Sequence, residues 1–175
     1  MGDADPAAKV AVPAVTNARQ QYVNRAQMLP LSRTCTSKAA RLAVRIAFYS
    51  GLRLGEILRA QVRGNTFYLM DTKNGDPRIV PIHPRIMVCI RHFNQATPKI
   101  TIQRSFMNAR VTCGIENIRF HDLRHSAASE LINAGVDLYT VGRVLGHKDP
   151  RSTQRYSHLA IDTLTAAVGK IGEKT

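Results

Sequence analysis

No stretch of this chain approaches the roughly 20 consecutive apolar residues that cross a bilayer, and no charged-then-apolar leader precedes a cleavage site. A membrane-spanning protein is therefore not expected, and the cytoplasm is the expected compartment. Cysteine is scarce as well. Cys35, Cys89 and Cys113 are odd in number, far apart and free of any C-x-x-C pairing. That speaks against a disulfide framework or a zinc-finger spacing and fits buried or idle thiols in a reducing compartment. The chain also has neither internal repeats nor low-complexity segments.

The most informative shortage is of negative charge. Only 12 Asp+Glu stand against 25 Lys+Arg, a formal net charge of +13. Such an excess predicts a polyanionic partner, held by phosphate contacts and counterion release. The basic residues run along the whole chain, so they do not form a basic tail on a neutral domain. A ribosome-associated protein, a binder of anionic membranes and a DNA enzyme all fit this charge. The length of 175 residues, 44% of them hydrophobic, suits one domain with a substantial core.

Residues 1–13, opening Met1-Gly2-Asp3-Ala4-Asp5, show no helical period and are expected to form a loose lead-in or linker, with one domain over 14–175. Thr16 is the expected cap of a first helix over Asn17–Leu29, with a loop from Pro30 to Thr36. Ser37 should cap an apolar helix, Lys38–Tyr49, that Ser50-Gly51 breaks before a short helix around Leu54–Leu58. Thr66–Met70 and Arg78–Ile82 are β-rich runs flanking Asn74-Gly75, a strong hairpin signal. Further helices are expected from Pro84 to about Asn94, over Thr101–Val111, over His121–Ala134 closed by Gly135, and over Asp137–Leu145 closed by Gly146. Ser152 should cap a helix carrying Tyr156, and Ile161–Ile171 supplies the last. The expected class is mainly α with one small antiparallel β-sheet, that is α+β.

Several constellations carry chemistry-bearing side chains. Helical spacing puts His121, Arg124 and His125 on one face. A solvated basic face with a structural histidine explains that cluster in isolation. A zinc hydrolase would need H-E-x-x-H, whereas Asp122 stands in the second position, Arg124 beside it, and no third ligand follows. Arg53 lies between two glycines at a break between apolar helices, with Glu56 three residues on. A structural ion pair and a guanidinium aimed at a phosphate explain it equally well. His147 after a helix end could simply bond the last carbonyls. Tyr156 could be a core tyrosine, and Lys73 an exposed lysine by a turn. Each reading stands alone; the order of the residues along the chain is harder to dismiss.

In that order the chain resembles the tyrosine recombinase family, which includes phage integrases and chromosome-dimer resolving recombinases. The residues that carry the resemblance are Gly51-Leu52-Arg53-Leu54-Gly55-Glu56, Thr72-Lys73 in a hairpin ending Val80-Pro81-Ile82, His121-Asp122-Leu123-Arg124-His125-Ser126, Leu145-Gly146-His147, and Thr153-Gln154-Arg155-Tyr156-Ser157-His158-Leu159. The resemblance spans roughly Thr16 to Val168. One such motif is weak, and five in the family's order and spacing are highly specific.

The resemblance implies a site of Arg53, Lys73, His121, Arg124, His147 and Tyr156, with Glu56 and His125 supporting it. It implies double-stranded DNA as substrate, a covalent 3′-phosphotyrosyl intermediate, no metal and no nucleotide cofactor. It further implies a monomer without DNA and a tetramer of itself on paired recombination sites, with the last helix passed to a neighbouring protomer. The chemistry is consistent: arginine forks match the non-bridging oxygens of a phosphorane-like state, each such donor typically supplying ~3–4 kcal/mol. His121 is the implied proton acceptor for Tyr156, and Lys73, on a hairpin expected to order with DNA, the implied general acid. Family members usually carry a separate N-terminal helical domain as well. This chain begins too close to the catalytic domain to hold it, so a cloned fragment or a truncated recombinase is expected. A type IB topoisomerase-like enzyme and a non-catalytic DNA-binding module are the competing readings.

Overall fold

The computed structural model describes residues 21–70, 77–147, 149–169 and 171. Its helices are α1 (Arg25–Thr34), α2 (Lys38–Ser50), α3 (Leu54–Ile57), α4 (Met87–His92), α5 (Lys99–Thr112), α6 (Asp122–Asn133), α7 (Leu138–Leu145), α8 (Arg151–Gln154) and α9 (Ile161–Gly169). Single 3-10 turns cover Pro84–Ile86 and Ser157–Ala160. Between α3 and α4 lies one antiparallel sheet of β1 (Gln61–Arg63), β2 (Thr66–Leu69) and β3 (Arg78–Pro81), in that order. The class is α+β, mostly helical, as the sequence predicts.

Helix α2 organises the molecule because its buried positions lie on several faces, including Ala43, Val44, Ile46, Ala47 and Phe48. It packs against α1, α3, α4, α5 and α6. The larger core joins these helices to Phe67, Leu69 and Val80 of the sheet. A smaller core gathers Ala128, Ile132, Val141, Leu145 and the ring of Tyr156. The two meet where α2 ends.

That end is built on Gly51, which takes the left-handed conformation at φ 67° while its N–H donates to the Ala47 carbonyl at 2.9 Å. A Cβ at Gly51 would lie 2.6 Å from Leu145 Cδ2 on α7. Backbone hand and close packing therefore both demand glycine. Gly51→Ala should lower stability by about 2–4 kcal/mol, the combined cost of a left-handed alanine and an overfilled contact, as a shift in urea midpoint at unchanged slope.

Several boundaries differ from expectation. Helix α1 starts at Arg25 because Asn24 and Gln27 cap one another reciprocally at 3.0 and 3.1 Å. Residues 21–24 are not helical, and Thr16 lies outside the described residues. The helix then runs through Pro30, with Met28 and Leu31 fully buried and holding that stretch in place. Ser37 occupies the cap position of α2 without a capping bond, and its N–H donates to Ser105 Oγ at 3.0 Å. Strand β1 was not expected; it pairs with β2 across a turn at Gly64, φ 56°. The Asn74-Gly75 turn and Lys73 lie outside the described residues, while β2 and β3 pair antiparallel around them. Tyr156 is not carried on a helix. Asp149 Oδ1, not Ser152, accepts the Arg151 N–H at 2.9 Å, and α8 ends at Gln154. Tyr156 follows in the turn before Ser157–Ala160.

Candidate active site

The break after α2 points Arg53 into extended backbone, φ −70° and ψ 153°, as the residue that caps α3. Glu56, three residues on, folds back over it. Glu56 Oε2 accepts the Arg53 N–H at 2.8 Å and Oε1 accepts Arg53 Nη1 at 2.9 Å. Arg78, at the head of β3, donates from Nη2 to Glu56 Oε2 at 2.9 Å. Arg124 comes from α6 with its side chain 2% exposed, and its Nη1 lies 4.0 Å from the same Oε2. Three guanidinium groups thus converge on one carboxylate, two of them from residues 71 positions apart in sequence (124 less 53).

The energetics of this cluster are lopsided. Burial pushes the Glu56 carboxyl up, yet the Arg53 N–H bond and the Arg78, Arg124 and Arg53 charges outweigh it and hold the group below the ordinary carboxylate value. Burial draws Arg124 down to about 9, Arg53 adds repulsion, and Glu56 opposes both. Arg124 Nη1 donates to the Gly51 carbonyl at 2.9 Å, while its buried Nη2 has no hydrogen-bond partner among the described residues. A buried cation with an idle donor is costly, and an anion placed there would relieve it.

Arg53, Glu56 and Arg78 open onto a cleft of about 1100 Å³ that His121 and His147 also line, with Arg59 and Lys99 adding positive charge. His147 follows Gly146, whose left-handed φ of 70° closes α7; its own N–H returns to the Gly142 carbonyl at 2.9 Å. Its Nδ1 meets Thr153 Oγ1 at 2.8 Å, which leaves Nε2 as its other ring nitrogen. Thr153 packs so tightly on α7 that a Cβ at Gly142 would lie 2.8 Å from its hydroxyl.

Tyr156 is 6% exposed and does not line this cleft. Its hydroxyl makes a short contact with His125 Nδ1, whose ring stacks edge-on against His121 at 5.2 Å between centroids. Burial pushes the phenol above its ordinary value, and Arg155 and Arg124 pull against it without prevailing. Arg53, Glu56, His121, Arg124 and His147 are therefore brought together, Tyr156 stands behind them on His125, and Lys73 is outside the described residues. Two participants had no role in the sequence reading. Arg78 showed only as a member of a β-rich run, and Thr153 only as part of the Thr-Gln-Arg-Tyr motif.

The histidines set a pH dependence. Burial, followed by repulsion from neighbouring cationic groups, draws His125 and His147 each down to about 4 from an ordinary 6.5. The unfolded chain then takes up these protons first as pH falls. Stability is full above about pH 6.5 and is lost progressively toward pH 4. Urea midpoints should decline already between about pH 6.5 and pH 5, above the range where carboxylates titrate. A flat profile there would contradict the buried, neutral state of these rings.

Comparison with known proteins adds an independent line. Residues 83–162 match the phage integrase family. The chain is 28% identical over 167 residues to tyrosine recombinase XerA of Saccharolobus solfataricus, covering 87% of this chain and 57% of that protein. Its structure is similar to the catalytic domain of bacteriophage HP1 integrase, with TM-score 0.67 and 27% identity, over 85% of this chain and 93% of that one. XerH site-specific recombinase, solved bound to palindromic difH substrate in a post-cleavage complex, shares the fold at TM-score 0.65 and 18% identity, over 88% of this chain and 54% of that one.

Proposed function

We propose that this chain, residues 83–162 of which match the phage integrase family, is a tyrosine recombinase that cleaves and rejoins DNA at a specific site through Tyr156. The observation that carries this is the convergence of Arg53, Arg78 and Arg124 on the single carboxylate of Glu56 beside an open, basic cleft. Three cations against one anion leave a positive field, and the idle Arg124 Nη2 adds a donor without an acceptor. A phosphodiester supplies both the charge and the oxygens.

In the proposed step Tyr156 Oη bonds to phosphorus while the bond from phosphorus to the 5′-oxygen breaks. The phenolic proton passes to His121, and Lys73 gives a proton to the departing oxygen. Arg53, Arg124 and His147 hold the non-bridging oxygens as charge builds on them, a contribution worth most where donors are fixed in advance. One phosphodiester replaces another, so a free 5′-hydroxyl can reverse the step and the reaction balances without a nucleotide cofactor. The direct test is a nicked suicide duplex that traps the tyrosyl adduct, read as a slow band on a denaturing gel.

Double-stranded DNA is the proposed partner; the Tn1549 transposon integrase, which shares the fold at TM-score 0.66, is solved in complex with transposon right end DNA. We also propose that α9 is the element exchanged between protomers in a tetramer on paired sites. Ile161, Leu164, Val168 and Ile171 are 60–81% exposed, an apolar surface without cover on its own domain. Deleting residues 161–175 should impair assembly on DNA while leaving the fold intact, checked by gel shift against circular dichroism. An unfolded deletion product would make α9 an ordinary terminal helix. Among the described residues no helix is long and apolar enough to cross a membrane.

A further inference from the structure

We infer that Arg78 is a positioning residue of the cleft: one guanidinium holds Glu56 with one arm and the end of α7 with the other, fixing the walls that carry Arg53 and His147 relative to each other. For its effect on cleavage the inference rests on the reading above. Its geometric content stands on the following contacts.

Arg78 Nη2 binds Glu56 Oε2 at 2.9 Å, and Glu56 in turn holds both the main chain and the guanidinium of Arg53. Arg78 Nη1 donates to the carbonyl of Leu145, the last residue of α7. The turn that follows closes α7 with two main-chain bonds, Gly146 N–H to the Arg143 carbonyl and His147 N–H to the Gly142 carbonyl. Those bonds leave the Leu145 carbonyl to an outside donor, and Arg78 supplies it. The fit admits nothing else: a Cβ at Gly146 would lie 2.0 Å from Arg78 Nη1 and 2.6 Å from its Cδ. Glycine at 146 thus serves the left-handed turn and makes room for the arginine together.

The arrangement carries a cost that its two bonds must offset. Arg78 is 13% exposed, its Nε has no hydrogen-bond partner among the described residues, and it adds a third cation beside Arg53 and Arg124. Burial, the largest cause, and the repulsion from Arg53 disfavour its charge, while the charge and hydrogen bond of Glu56 favour it. What the side chain supplies is a planar fork reaching two acceptors, Glu56 and Leu145, that lie 89 residues apart in sequence (145 less 56). An ammonium on a flexible stem is a single point donor and cannot span them.

The test compares Arg78→Lys and Arg78→Ala with the unaltered chain. In single-turnover cleavage of the suicide duplex at saturating DNA, both variants should lose about 10–100-fold in rate, the usual effect of removing a supporting contact. The DNA affinity of Arg78→Lys, which keeps the charge, should stay within about threefold. Methylguanidinium should restore the Arg78→Ala rate where methylammonium does not. Without DNA, the amide resonances of Gly146 and His147 should shift and exchange faster in both variants, and the Glu56 carboxyl should titrate higher in Arg78→Ala. An Arg78→Lys enzyme cleaving at the unaltered rate, or unmoved Gly146 and His147 amides, would overturn the inference. Should Arg78→Ala fail to fold, Arg78→Lys, which keeps the stem and the charge, decides alone. If the unaltered chain forms no adduct, the reading of the site as a recombinase fails, while the amide and carboxyl measurements still judge Arg78.

Discussion

Tyr156→Phe is expected to abolish the covalent protein–DNA adduct, by more than about 10⁴-fold, as loss of a nucleophile does in comparable enzymes. DNA affinity should change by less than about threefold, because the phenol makes none of the phosphate contacts the cleft offers. The variant is a fair one structurally. The Tyr156 ring packs with Ala128, Ile132, Val141 and Leu145, and phenylalanine keeps that packing. What it loses is the contact with His125 Nδ1, leaving a partly buried ring nitrogen unpaired at a cost of about 1–3 kcal/mol. A folded, DNA-binding, inert variant is the expected outcome. An adduct surviving in Tyr156→Phe would move the chemistry to another side chain.

The proposed cleavage requires a movement of Tyr156. Tyr156 does not line the cleft that Arg53 and His147 share, and burial holds its phenol above the ordinary value. A tyrosine in that state is a poor nucleophile. In the proposed mechanism its hydroxyl leaves His125 and moves toward the arginines, where positive charge favours the phenolate. His125, drawn down to about 4, is neutral near pH 7 and offers the phenol an accepting nitrogen. The resting contact is therefore a hydrogen bond between neutral groups, the kind of modest restraint that DNA binding can exchange for contacts in the cleft.

Local signals in the sequence were legible where one residue decides one bond. Gly51, Gly135 and Gly146 end their helices with positive φ, as expected, whereas Asp137, expected inside α7, caps it by accepting the Thr140 N–H at 2.9 Å. They failed where two signals competed. Thr16 and Asn24 are both plausible caps, and the reciprocal bond with Gln27 sets the start of α1. At α8 the cap position falls on Pro150, the Asp149 carboxylate accepts the Arg151 N–H, and Ser152 lies inside the helix. Strand β1 has three exposed residues and so no apolar period to betray it. The site itself was legible through motif order, since no local pattern reveals that Arg124 reaches the Gly51 carbonyl 73 residues away. Arg78 had neither aid. Its partners lie 22 and 67 residues off, and its place at the head of a β-rich run is ordinary for an arginine.

Substituting sulfur for the 5′-bridging oxygen should separate the arginines from Lys73. On an ordinary suicide duplex, Lys73→Ala and Arg53→Ala are each expected to lose about 10²–10⁴-fold in cleavage, the range for a missing general acid or a missing oxyanion donor. Binding losses should be small for Lys73→Ala, because one screened phosphate contact contributes modestly. A thiolate leaves without needing a proton, so on the sulfur substrate Lys73→Ala should recover most of its rate. Arg53→Ala should not recover. Its guanidinium lies on Glu56 at the cleft, where its proposed task is the charge on the non-bridging oxygens, and sulfur at the leaving position does nothing for those. Lys73 lies outside the described residues, so this measurement rather than geometry assigns its role. Equal failure of both variants on the sulfur substrate would remove Lys73 from the acid role. Equal recovery would mean that Arg53 acts on the leaving oxygen, and the convergence of three arginines on Glu56 would need another explanation.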